Sequence, residues 1–353
     1  DEPRRFSYHA QWQQAAAGAA DRRVPLPPWF EGEPFARGEA EPELSINVLR
    51  RFLLQPAESL LERMGMRLVE VEEHGDDVEP LAGPGGGLDR HRLQQALFDE
   101  LLQGRDEDAV HASLRARGLL PSGAAGRRVL ADQRELLLPW LEAFARWRGD
   151  AEPGSLLAEV EVDGVRVHGR IQNVFPKGIA RLRFGKPNGP SVIRSGLDWL
   201  LARAANIDLP FVEFFDAGRD GPGPHPRKNI SPDDARAALR ELLALRAMGL
   251  REPLHYAPYS AWAYCSAETA ERAVKAARSQ WHGSGGGFAE GQGDALRQVL
   301  RGCDPFADEA TLLRFADASM AVFLALREGK VYGGVDPATL AGLAARFEPE
   351  DGE

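Results

Sequence analysis

Apolar positions along the chain change period twice, and those changes predict its elements. Residues 1–44 show no regular spacing and are broken by Pro25, Pro27, Pro28 and Pro42, as expected of an extended arm or inter-domain connection. From Ser45, a predicted N-cap, Leu49, Phe52 and Leu53 fall three and four apart on one helical face. Gln55-Pro56 ends that helix, and Pro56 suits the first turn of a second helix carrying Leu60, Leu61 and Met64, with Gly65 as its stop. Met66 to Val71 alternates and predicts a short strand or extended segment, followed by a Gly/Pro loop from His74 to Gly87. Helical spacing returns in Leu93, Leu97 and Leu101, again over about 107–117, and after the turn at 118–123 in Leu130, Leu137, Trp140, Leu141 and Phe144. Pro139 is expected to kink or split that last helix.

Between Leu156 and Phe184 the period falls to two. Val160, Val162, Val165, Val167, Ile171, Val174, Ile179, Leu182 and Phe184 mark strands, and Asp163-Gly164 predicts an antiparallel hairpin. A helix bearing Leu197, Trp199, Leu200 and Leu201 comes next, then a strand over 211–215 and a Gly/Pro loop to Pro226. Ser231-Pro232 opens a helix to about Met248, and the remainder reads as mainly helical. The order implies an α/β core within a helical surround. The expected organisation is an arm over 1–44, a helical part over 45–149, a sheet-containing core over 150–260 and a helical end over 261–353.

Composition narrows the function classes. With 27% charged and 43% hydrophobic residues, a chain of 353 residues can bury a sizeable core. Cys265 and Cys303 are isolated, which fits a reducing compartment better than a disulfide framework or a zinc site. No apolar run reaches the ~18 residues that cross a bilayer, so a cytoplasmic location and no membrane partner are expected. The chain opens on Asp1 rather than Met, as a piece of a longer protein would.

A net charge of −10 argues against a stand-alone nucleic-acid binder, but the charges are unevenly distributed. Arg166, Arg170, Lys177, Arg181, Arg183, Lys186 and Arg194 fall within a stretch, 164–194, that holds no Asp or Glu. On a strand, Arg181 and Arg183 share a face, as do Arg166, His168 and Arg170, and such rows can track a phosphate backbone. They can equally form a solvated face, pair with Glu159 and Glu161, or meet an acidic protein partner. Tyr256, Tyr259, Trp262 and Tyr264 can stack unpaired bases or serve as core or interface anchors. Gly185-Lys186 is followed by Pro187 and preceded by Ala180 at the fifth position, so no phosphate loop forms there. A metal-dependent nuclease centre with relocated acids could draw on residues such as Glu159, Glu161 and Asp163, but these alternate on one strand face beside a turn, which a solvated face explains more simply.

Segments spread along the chain resemble the C-terminal region of the RecC family, the gamma chain of exodeoxyribonuclease V. They include 45–52 (SINVLRRF), 88–94 (LDRHRLQ), 115–126 (RARGLLPSGAAG), 167–172 (VHGRIQ), 182–184 (LRF), 197–200 (LDWL), 251–254 (REPL) and Ala261-Trp262. The resemblance implies a restriction-endonuclease-like PD-(D/E)xK core with a disabled site. Active members place an Asp after a Gly-x-x spacing and an Asp/Glu-x-Lys on the next strand, where carboxylates hold magnesium. Here Gly169-Arg170-Ile171 leads to Gln172, and the next strand offers Arg181-Leu182-Arg183. His91 falls where active relatives often carry a histidine ligand. The resemblance therefore implies no catalytic residue, no metal and no cofactor. It also implies a scaffold that contacts forked or single-stranded DNA, docks RecB and RecD subunits, and acts in double-strand break repair and recombination. A pure protein-docking module without DNA contact is the remaining alternative.

Overall fold

Ser45 closes one element and opens the next: it ends strand β1 (Glu43–Ser45), and its hydroxyl accepts from Asn47 N to cap helix α1 (Ile46–Leu54). The computed structural model describes residues 41–68, 87–283, 288–301 and 303–332, together with 16–18, 28, 30, 34–36, 38, 83 and 84. Pro56 stands in the first turn of α2 (Pro56–Arg63), and Gly65, at φ +76°, takes the left-handed conformation after it. Met66–Leu68 form no strand, and 69–71, with most of the expected loop to Gly87, lie outside the described residues. Glu43 and Leu44, expected in the arm, instead enter the sheet.

Three helices then form one layer: α3 (Gly87–Leu102), α4 (Glu107–Ala116) and α5 (Gly123–Arg148). Pro139 does not split α5, which runs 26 residues through it. The sheet follows as β2 (Gly154–Val162), β3 (Val165–Phe175), β4 (Gly178–Leu182), β5 (Phe211–Phe214) and β6 (His225–Pro226). With β1 it is six-stranded, ordered β1-β3-β4-β5-β6, and β2 lies along the other edge of β3. The Asp163-Gly164 turn joins β2 and β3 as an antiparallel hairpin, and Asp163 sits at φ +49°. β1 runs parallel to β3, and β4 parallel to β5. Helices α6 (Gly189–Ala204), α7 (Pro232–Gly249), α8 (Pro258–Cys265), α9 (Ala270–His282), α10 (Asp294–Val299) and α11 (Glu309–Glu328) complete the chain as described.

Two buried clusters lie on opposite faces of the sheet. One holds Leu97, Leu114, Leu137 and Phe144 from α3–α5 against Ala180, Val212 and Phe214. The other packs α1, α6, α7 and α11 against Val167, Ile171, Ile179 and Phe211. Alternation along β4 and β5 feeds both, since successive side chains point to opposite faces. In β3 the alternation changes phase: Val167 and Ile171 belong to one cluster and Phe175 to the other. Asn173, at φ +55°, is the extra residue, because Ser155 pairs with Gln172 and Gly154 with Val174. The result is a mixed α/β fold with helices on both faces, which agrees with the expected class at that level.

Candidate nucleic-acid interface

The carboxyl ends of the parallel pair β4 and β5 open into a cavity of about 560 Å³, the position where open α/β sheets commonly place ligands. Arg181 and Arg183 reach it from β4 and its extension, Arg183 N donating to Phe214 O at 2.8 Å. The chain must then turn sharply into α6. Asn188 caps that helix in a reciprocal box with Ser191, and Gly189 lies so close to Pro258 O that an added Cβ would meet it at 1.9 Å. This turn brings Arg194 to the cavity rim, and His91 arrives from α3 on the other layer. Arg227 and Lys228 follow β6, Trp262 comes from α8 and Arg327 from the last turn of α11.

The cations of this cavity fall into two sets. Arg181 and Arg227 are consumed by the fold. Arg181 donates to Asp198 Oδ2 through Nε at 3.0 Å and Nη2 at 2.6 Å, and through Nη1 to the carbonyls of Gln172 and Ala180. Arg227, its side chain 9% exposed, grips Glu213 in a bidentate pair at 2.7 and 3.1 Å and donates to Leu326 O and Ser195 Oγ. It also lies over the Trp199 ring at 5.0 Å. Arg183, Arg194, Lys228 and Arg327 form no ion pair among the described residues. Arg183 spends Nε on Lys186 O, and Arg327 spends Nη1 on Cys265 O while lying over Trp262 at 5.3 Å. Glu328 sits near enough to feel Lys228 and Arg327, but its own partner is Lys330 at 2.7 Å.

Electrostatics within the cavity favour an anion. Burial lowers the Arg183 pKa, with Arg194 adding repulsion, although Tyr259 acts in the opposite sense. Burial first, then Arg183 and Arg194, pull His91 below its ordinary range, which favours its neutral form while no anion is present. Among the described residues Glu213 supplies the lining's one carboxylate, and Arg227 already occupies both of its oxygens. Among the described residues no group of three or more His, Cys, Asp or Glu side chains converges as metal ligands. This donor set does not fit a divalent cation.

The seven cations of the acid-free stretch therefore do not share one surface. Arg181, Arg183 and Arg194 meet at the cavity with His91, and Lys186 takes part there through its carbonyl, which receives Arg183. Arg166 pairs with Glu43 at 2.6 Å across β1, with His168 at 3.4 Å from the same carboxylate. Arg170 donates to Ser155 on β2, and Lys177 is exposed in the β3–β4 turn. Gln172 contributes its carbonyl to Arg181 while its side chain is exposed. Of the other acids, Asp163 pairs with Arg240 at 2.7 Å, while Glu159 and Glu161 stand opposite His168 and Arg166 on the solvent face. Tyr256 is wholly buried, Tyr264 packs on Phe315 and Tyr259 on Phe288, which leaves Trp262 as the cluster's ring in the cavity. Sequence reasoning missed Arg227, Lys228 and Arg327. The adjacent Arg227-Lys228 offered a weak local signal, whereas Arg327 offered none, because only packing of α11 brings it to the sheet.

Comparison with known proteins fits this architecture. Two curated relatives, both described as RecBCD enzyme subunit RecC, match at low identity. The one from Mycolicibacterium smegmatis (strain ATCC 700084 / mc(2)155) is 25% identical over 275 residues, 76% of this chain and 24% of that protein. The one from Escherichia coli (strain K12) is 26% identical over 198 residues, 56% of this chain and 16% of that protein. The matched part is thus a quarter or less of either relative's length. The family model described as RecC C-terminal domain covers residues 41–269, well over half of the chain and every strand of the sheet. The chain belongs to the RecC C-terminal domain family.

Proposed function

We propose that this chain is a non-catalytic, DNA-contacting scaffold portion of a RecBCD-type assembly, working in the cytoplasm in recombination and double-strand break repair. Its sheet and flanking helices are the remnant of a PD-(D/E)xK nuclease core whose metal-binding acids have given way to Gln172, Arg181 and Arg183. The observation that carries this reading is the cavity at the ends of β4 and β5, where Arg183, Arg194, Lys228 and Arg327 form no ion pair among the described residues, in a molecule of net charge −10. Such a site attracts phosphates and repels Mg²⁺. It grips a strand without supplying the chemistry to cut it. Docking of RecB and RecD subunits is part of the proposal, supported by the kinship to proteins described as subunits of that enzyme.

Fluorescence anisotropy of the whole chain against a labelled fork and a labelled single strand tests it. Reversing Arg183 and Arg194 to Glu is expected to weaken binding at least tenfold. The same reversal at exposed Arg127 and Arg128 on α5 should change it less than threefold. Equal losses would place the DNA face elsewhere. Magnesium-dependent cleavage by the purified chain would restore the nuclease alternative, and absence of any salt-sensitive binding would leave protein docking alone. Arg181 is unsuitable for this test because it holds Asp198.

A further inference from the structure

A second cavity, of about 530 Å³, shares no lining residue with the basic one and lies among α7, α11 and the segment that follows α10. Its walls are apolar: Leu245 from α7, Leu254 from the following loop, and Ala318 and Ala321 from α11. Polar groups break that wall, among them the basic side chains of His255, Arg301 and Arg314 and the carboxylates of Glu252 and Asp317. His255 is only 6% exposed, and its Nε2 has no hydrogen-bond partner among the described residues. Arg301 likewise buries its Nε without a partner. Burial first, and then Arg314 on α11, lower the His255 imidazole pKa to about 4, while the nearby Asp308 carboxylate acts in the opposite sense. Neither Arg301 nor Arg314 forms an ion pair among the described residues.

Buried donors left without acceptors cost about 1–3 kcal/mol each, so a ligand that satisfies them gains correspondingly. Arg301 and Arg314 only donate, so the missing group is an acceptor, and an anionic one is favoured. Of the lining's carboxylates, Asp317 accepts from the Tyr332 hydroxyl at 3.4 Å, and Glu252 forms no ion pair with either arginine among the described residues. The volume lies within the about 300–1,000 Å³ of ligand pockets, and its apolar wall requires an apolar body. A chain passing straight through would bury peptide N–H and C=O groups against that wall without partners. A chain end brings one carboxylate and one side chain. The surroundings suit polypeptide: the protein's own Pro28 and Phe30 border the cavity, and Phe35 exchanges two hydrogen bonds with Arg251, at 2.9 and 2.7 Å, beside it.

We infer that this cavity receives the C-terminal residue of a partner polypeptide, its carboxylate held by Arg301, Arg314 and His255 and its apolar side chain packed on Leu245, Leu254, Ala318 and Ala321. The inference does not depend on the DNA reading. Isothermal titration calorimetry of the whole chain with N-acetyl-Leu-Phe, its C-terminal amide and decanoate tests it. The free acid is expected to bind saturably and the amide at least tenfold more weakly. Arg314→Glu, at an exposed position, should abolish binding without changing DNA anisotropy. Ala321→Leu should fill the space and abolish binding while leaving the melting temperature unchanged or raised. No saturable heat with the free acid, equal affinity for the amide, or decanoate binding as tightly as the peptide would each overturn the assignment.

Discussion

At the residue scale, Asp198 illustrates how a charge can be buried in this fold. Its side chain is 10% exposed and accepts from Arg50 on α1 at 2.6 Å and from Arg181 on β4 at 2.6 and 3.0 Å, tying a helix and a strand to α6. Two cations facing one another across a site this dry depend on the anion between them. Asp198→Ala should therefore cost about 3–5 kcal/mol in urea unfolding, the range seen when one partner of a buried pair is removed. Arg181→Ala should cost clearly less, because Asp198 keeps Arg50. If the two variants lose equal stability, the carboxylate is not the hub of this triad. The same reasoning explains why Arg181, expected from sequence to grip phosphate, faces the cavity yet has its guanidinium fully engaged. Sequence shows that a residue is charged but not whether its charge has already been met. That depends on Asp198, seventeen residues away, and on Arg50, much farther.

At the scale of elements, β3 must serve both layers, and Asn173 makes that possible. Its left-handed φ inserts one residue, so Val167 and Ile171 face α1 and α6 while Phe175 faces α5. Asn tolerates this region better than β-branched residues do. Asn173→Val is expected to destabilise the fold by about 1–3 kcal/mol, whereas Asn173→Gly should be nearly neutral, read as shifts in urea midpoint. A neutral Val variant would mean that the bulge is not held where Asn173 lies. Much of the element order was legible: the hairpin at Asp163-Gly164, the caps at Ser45 and Ser231, and the helices over 87–102 and 232–249 follow from period and turn chemistry. The bulge was not, because an alternation that changes phase by one residue looks unbroken at the level of apolar spacing. Nor was β1, three residues long and held by pairing with Arg166, Val167 and His168, partners that sequence spacing cannot supply. Gly169 was quoted for its place in a motif. Its packing role is plainer in the fold, where an added Cβ would meet Ile46 Cγ2 at 2.3 Å.

At the scale of the molecule, an excess of ten negative charges coexists with a cavity whose open cations form no ion pair among the described residues. For a polyanion approaching such a protein, the net repulsion is largely screened beyond a Debye length, ~8 Å at physiological salt, and attraction at the cavity acts only at short range. Binding should therefore be weak and steeply salt-dependent, each neutralised phosphate of a single strand contributing a slope of about 0.7 in log K against log salt. Arg183, Arg194 and Lys228 replaced together by Gln should reduce that slope by about 2 and leave the urea midpoint nearly unchanged, since none forms an ion pair among the described residues. Arg227→Gln should do the reverse: it strands Glu213 in a largely buried setting, lowering stability by about 3–5 kcal/mol while hardly altering the slope. The contrast separates cations that hold the fold from cations open to a ligand, although all of them line one cavity. If Arg227→Gln lowers the slope as much as its neighbours do, that separation fails, and the guanidinium that grips Glu213 must release it to meet the phosphate.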